Sequence, residues 1–184
     1  MAWETCQTFS GCWGYNRDQT TWKSDAELLY LLVHTVSKGG NLIMNVGPTG
    51  QGAFDARAKT RLDGYARWMQ DNSAAIYGCT EAPSRFKAPE GTLLTYNPET
   101  NRLYIHLVVY HGGDLALDFG DEIAYAQFLH DASEIAISKP EPWHLQSLYK
   151  HGGENKTRLA LPVNKPNSDL PVIEIVLKGS APEK

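Results

Sequence analysis

The chain is poor in several things, and each absence narrows what it does. Its three cysteines, Cys6, Cys12 and Cys79, make an odd count with no C-x-x-C spacing. That excludes a zinc knuckle and argues against a disulfide framework, leaving the redox compartment open. A Cys6–Cys12 bridge is sterically allowed, but a chain of this size does not depend on a staple. No apolar run approaches the roughly 18 residues of a membrane span. The longest, Leu28 to Val36, is interrupted by Tyr30, His34 and Thr35. A net charge of −4 gives no basic footprint, so nucleic acid is not an expected partner. The six histidines have no i, i+4 spacing with an acidic partner, so neither a metal nor another cofactor is expected. Gly47 to Gly52 lacks the Lys-Ser/Thr ending of a phosphate-binding loop. Met1-Ala2-Trp3-Glu4 carries neither the charged start nor the apolar stretch of a leader.

What is present is ordinary globular composition, 42% apolar and 21% charged. Its 184 residues suffice for one large domain or two small ones. The first half alternates helix and strand. Ser24-Asp25-Ala26-Glu27 is a capping box, and Leu28, Leu29, Leu31, Leu32, Val33 and Val36 follow at helical spacing. Gly39-Gly40 stops that helix. Asn41 to Val46 is a short, nearly continuous apolar run, as in a strand buried on both faces of a parallel sheet. Asp55 caps a second helix to about Gln70, with Leu62, Ala66 and Met69 on one face.

The pattern changes near Thr80. Pro83 and Pro89 punctuate a linker-like stretch. Short segments then recur between turn signals: 92–96, 102–109, 115–119, 125–129, 135–138, 157–161 and 172–177. That is the rhythm of an antiparallel β-sandwich. The expected fold is α/β plus all-β, the last strand–helix units of a (β/α)8-like barrel in 1–80 and a β-sandwich in 81–184. Two strand–helix units cannot close a barrel, which needs eight, so the first half is expected to be a C-terminal piece of something larger.

An ordered series of motifs runs through this half. Trp3-Glu4-Thr5-Cys6 is followed by Trp13-Gly14-Tyr15-Asn16, and then by Val36-Ser37-Lys38-Gly39-Gly40-Asn41-Leu42 through Asn45-Val46-Gly47-Pro48-Thr49. Asn72-Ser73-Ala74-Ala75-Ile76-Tyr77-Gly78 closes it. The series resembles the segment shared by α-L-fucosidases of glycoside hydrolase family 29, over roughly residues 3 to 80. The resemblance implies a retaining mechanism. An Asp attacks the anomeric carbon of α-L-fucose, and a Glu, its carboxyl about 5 Å from that of the Asp, protonates the leaving oxygen and then activates water. The acid/base maps to Glu4, with Trp3 beside it excluding water. The nucleophile and most fucose-gripping residues lie on earlier barrel strands, so none is expected in this chain. Asp25 and Asp55 are explained as helix starts, and Asp18 is not promoted.

Trp13, Tyr15 and Asn16 either line the sugar pocket, with Trp3, or pack their loop; Asn45 buttresses the site from its strand end. Trp68 and His34 read as packing residues. Trp143 is a sugar-binding surface or a core or edge residue, and Asn155-Lys156-Thr157 matches a glycosylation sequon. The expected partner is a fucosylated glycan or fucoside, with no membrane, and with self-association or pairing with the missing barrel half. The parent enzyme is expected to be secreted or periplasmic, because glycan-processing enzymes commonly work there. Three readings follow: a fucosidase fragment without the nucleophile, a carbohydrate-binding or scaffold module, or a subunit completing a split fucosidase in trans.

Overall fold

The computed structural model describes residues 3–139 and 156–179. Strand β1 (Glu4–Thr8) and strand β2 (Asn41–Asn45) pair in parallel, Glu4 opposite Asn41 and Thr8 opposite Asn45. Between them runs helix α1 (Asp25–Val36). Its capping box forms: the Glu27 amide donates to Ser24 Oγ at 3.2 Å, and the Ser24 amide donates to the Glu27 carboxylate at 2.8 Å. Gly39, at φ 70°, turns the chain out of the helix. Helix α2 (Ala56–Asn72) starts behind Asp55, whose side chain accepts from the Ala58 amide at 3.0 Å.

The β-rich half holds two antiparallel sheets. Strands β3 (Thr80–Glu81), β4 (Thr92–Asn97), β5 (Arg102–Leu107), β7 (Ile123–Phe128) and β10 (Val172–Leu177) form one, in the order β3-β4-β5-β10-β7. Strands β6 (Gly113–Leu117), β8 (Ile137–Ser138) and β9 (Thr157–Leu161) form the other, in the order β6-β9-β8. Their facing sides share a core of Leu103, Ile105, Ile173 and Ile175 against Leu117 and Leu159. This is the sandwich that the short segments foreshadow.

Strand alternation sends the next residues the other way. Tyr104 and Val172, with Leu170, leave the sandwich core and join Leu29, Val33, Val36 and Trp68 of the helices. The five-stranded sheet is therefore a middle layer, covered by a sheet on one side and by α1 and α2 on the other.

Two details depart from the sequence reading. The stretch around Pro83 and Pro89 is not a free linker: β3 pairs with β4, and Phe86 enters the sandwich core against Phe119. On α2 the buried positions are Ala58, Gly64, Trp68 and Asn72, and Ala66 is exposed. Docking of Trp68 onto the sheet sets that face, which helical spacing alone does not specify. All three cysteines are free, and burial pushes the Cys79 thiol up to about 12, well away from a reactive thiolate. Among the described residues, no helix is long and apolar enough to cross a membrane.

Candidate functional site

The two ends of the β1–β2 pair are chemically different. At the C-terminal end, Asn45 organises the chain that leaves β1. Its Nδ2 donates to the Trp13 carbonyl at 2.6 Å and to Thr8 Oγ1 at 3.3 Å, while that hydroxyl donates to the Cys12 carbonyl at 3.2 Å. Lys23 Nζ donates to the Thr8 carbonyl at 2.6 Å, so the loop is tied down on return as well. The loop between β1 and α1 also meets the loop after β2 at a glycine pair. A Cβ on Gly47 would stand 2.5 Å from the Gly14 carbonyl carbon, so only hydrogen fits there.

A cation completes the assembly. Arg57, in the first turn of α2, donates to the Gln19 carbonyl at 2.7 Å and the Asn16 carbonyl at 3.4 Å. It also pairs with Asp55 at 2.6 Å, and its guanidinium lies 4.9 Å from the Trp22 ring centre. The Ala58 amide, then Arg57, holds the Asp55 carboxyl below the usual carboxylate range, so the clamp stays charged. Trp13 and Tyr15 ride on this loop, 58% and 41% exposed, while the backbone beneath them is fixed. The residues are flat, open and pre-positioned.

The N-terminal end is simpler. Glu4 opens β1 and is exposed. It shares a sheet face with Cys6 and, across the register, with Asn41 and Ile43, all of them exposed. Trp3 turns away from this face: its indole N–H donates to the Lys38 carbonyl at 3.0 Å, and its ring fills the space where a Gly40 side chain would be.

The family model for alpha-L-fucosidase matches residues 1–74 of this chain. Tissue alpha-L-fucosidase of Mus musculus is 34% identical over 106 residues, 55% of this chain and 23% of its own length. Over residues 1–74 the chain is similar to the α-L-fucosidases. Plasma alpha-L-fucosidase of Homo sapiens is 41% identical over 78 residues, 41% of this chain and 17% of its own. Alpha-L-fucosidase isoenzyme 1 from Paenibacillus thiaminolyticus superposes with a TM-score of 0.83 at 28% identity, covering 97% of this chain and 40% of that one. The Thermotoga maritima alpha-fucosidase, solved with a mechanism-based inhibitor, superposes at 0.75 and 25% identity, over 95% and 40%. The chain thus spans under a quarter of the sequence relatives it matches and two-fifths of these solved fucosidases.

Within this chain, the structure separates the residues that the motifs put side by side. Trp13, Tyr15, Asn16 and Asn45 gather at the C-terminal strand ends; Trp3 and Glu4 stand at the opposite end. Four residues of extended chain, roughly 13 Å, separate Glu4 from Thr8. Trp3 is 40% exposed, with its indole N–H bound to the turn after α1. Trp143 and Asn155 lie outside the described residues. The fucosidase motifs also pass over Arg57. One signal was readable, since a cation in a helix's first turn opposes the macrodipole and so needs a partner elsewhere.

Proposed function

We propose that this chain contributes one wall of the sugar pocket of a retaining α-L-fucosidase, which releases terminal α-L-fucose from glycans. The observation that carries the reading is the fixed loop presenting Trp13 and Tyr15 at the C-terminal ends of two parallel strands. In (β/α)8 enzymes the reacting groups stand at that face. Aromatic rings there offer apolar surface to the C–H face of a pyranose, and one polar edge to a hydroxyl.

Retaining hydrolysis needs two carboxylates about 5 Å apart. Among the described residues this loop carries only Asp18, which is exposed and turned to Arg17 at 3.4 Å. The nucleophile is therefore assigned to the remaining barrel strands. The chain alone is expected to give no turnover of an aryl α-L-fucoside, and co-expression with the missing barrel segment is expected to restore it. The exposed β1–β2 face around Cys6 and Ile43 supports such completion. Turnover by the chain alone would overturn the assignment.

Glu4 has the motif in its favour and its position against it. A residue at the start of a barrel strand lies one strand length from the reacting face, so we assign the acid/base to another barrel segment. Glu4→Gln in the assembled enzyme is then expected to lower kcat/KM by less than about tenfold. General acid–base catalysis is typically worth about 10²–10⁴-fold, so a loss in that range, rescued by azide, would return the role to Glu4.

Arg57 serves as a positioning residue. Arg57→Ala in the assembled enzyme is expected to lower kcat/KM about 100-fold, much of it through KM, because misplaced binding groups cost that much. Arg57→Lys keeps the charge but not the fork, and should recover part of the loss. Equal kinetics in all three proteins would remove Arg57 from the site.

A further inference from the structure

From Leu28 to Val36, helix α1 carries no Asp, Glu, Lys or Arg. A helix at the surface of a globular protein keeps a charged face for water, and one that is apolar all round belongs inside. α2 obeys this rule, exposing Lys59, Asp63, Arg67 and Gln70. α1 does not. Its Leu28, Leu29, Val33 and Val36 are buried, but Tyr30 is 40% exposed, and Leu31 and His34 are half-buried. The rings of Tyr30 and His34 stack with 5.4 Å between centres, forming one flat ridge. Its direction follows from what already touches the helix. Asp25 faces α2, where it pairs with Arg61 at 2.8 Å and leaves room only for glycine at position 64. At 3.6 residues per turn, Tyr30 lies roughly 140° and His34 roughly 180° around the axis from Asp25. Leu29, Val33 and Val36 take the side of the sandwich. The ridge therefore turns away from α2, on the flank of β1, which pairs only with β2 among the described residues.

A groove of about 380 Å³ opens there, lined by Tyr30, Leu31, Val108 and Leu170, with Lys23, Glu27 and Asp169 beside them. Leu170 also belongs to the core between the helices and the sheet, so the groove is the open margin of an interface that already exists. Val108, the residue after β5, is 37% exposed and brings the sandwich to the same margin. Two of the three charges are committed within the chain: Lys23 Nζ donates to the Thr8 carbonyl, and Glu27 accepts from the Ser24 amide. The groove thus offers mainly apolar contact along a helix. In a ring of strand–helix units each helix has a helical neighbour on both sides, and packed helices lie about 8–10 Å apart. α2 fills one side of α1, and the ridge marks the other. We propose that this groove seats one amphipathic helix of the remaining barrel segment, which touches α1 through Tyr30 and Leu31 and the sandwich through Val108. The seat rests on the barrel completion proposed above, and it makes the sandwich a party to that assembly.

The chain is co-expressed with the part of the Paenibacillus thiaminolyticus fucosidase that it does not cover, with a benzophenone amino acid in place of Val108. Irradiation is expected to join position 108 to a helix of that partner, located by mass spectrometry of the digested adduct. Val108→Asp and Tyr30→Lys are each expected to weaken the complex at least tenfold on dilution. The melting temperature of the chain alone should stay unchanged in both, because both side chains are exposed; if Tyr30→Lys lowers it, Val108→Asp decides. Turnover of an aryl α-L-fucoside is read in the same samples. Cross-linking without turnover would keep the seat and overturn the fucosidase reading. Turnover with no cross-link from position 108 and no effect of Val108→Asp would overturn the seat alone. Failure to form a complex, or a cross-link between two copies of this chain, would overturn the seat as well.

Discussion

Acidification from pH 6.5 towards 3 is expected to remove about 1.4 kcal/mol of stability per pH unit through His106 alone. His106 is fully buried on β5, and its Nε2 stands 2.8 Å from Thr95 Oγ1. Thr95 spends its own proton on the Ala75 carbonyl, also at 2.8 Å. The hydroxyl must therefore accept from Nε2–H, which fixes the tautomer and leaves Nδ1 as a buried lone pair without a partner among the described residues. Protonating Nδ1 would place a charge in the core, so burial pushes His106 down to about 3.

The sign follows from proton counting. Below about 6.5 the unfolded chain binds a proton at His106 and the folded chain does not, so acid favours unfolding. The stability is complete above that pH, falls as pH drops, and stops falling near 3, a total on the order of 5 kcal/mol. Asp55 and Glu27 are both shifted down in the folded chain, first by the backbone amide bonds of their caps. Their contribution persists above the ordinary carboxylate range and is lost only as pH falls below about 4. Urea unfolding at pH 7, 6 and 5 therefore isolates the histidine. A flat profile there, or the same slope in His106→Phe, would contradict the assignment.

Trp68→Ala is expected to cost about 3–5 kcal/mol, the usual range for emptying a buried aromatic site. Trp68 is 4% exposed on α2, and its indole N–H donates to the Leu170 carbonyl at 2.8 Å, 102 residues away. Its ring centre lies 6.4 Å from that of His106. One side chain thus ties the helices to the middle sheet by packing and by a bond. Trp68→Phe keeps most of the volume but orphans the Leu170 carbonyl, for an expected cost of about 1–3 kcal/mol. Far-ultraviolet and aromatic signals should unfold together in the parent chain. Separate transitions, or a cost below about 1 kcal/mol for Trp68→Ala, would mean that the helices do not lean on the sheet.

Much of the fold was legible because its signals are local. The Ser24–Glu27 box and the Asp55 cap act within one helical turn, and segments 157–161 and 172–177 coincide with β9 and β10. What escaped depended on distant partners. Phe86 looked like part of a linker because its core is built from strands that come later in the sequence. The buried face of α2 was misread because Trp68 meets a sheet that begins later in the chain. At the site, W-E and W-G-Y-N sit ten residues apart at Trp3 and Trp13, yet a whole strand lies between them. Sequence proximity could not reveal that they occupy opposite ends.

The double-sided middle sheet also bears on how the two halves of the chain can be recombined. The helical half transplanted onto a foreign sandwich would meet a wall shaped for other helices. Tyr104, Leu170 and Val172 would have to travel with it, because α1 and α2 read them as part of their own interior. The seam for a chimera therefore does not follow the change in composition near Thr80. It cuts across the sheet, separating the side chains of single strands by the direction in which they point.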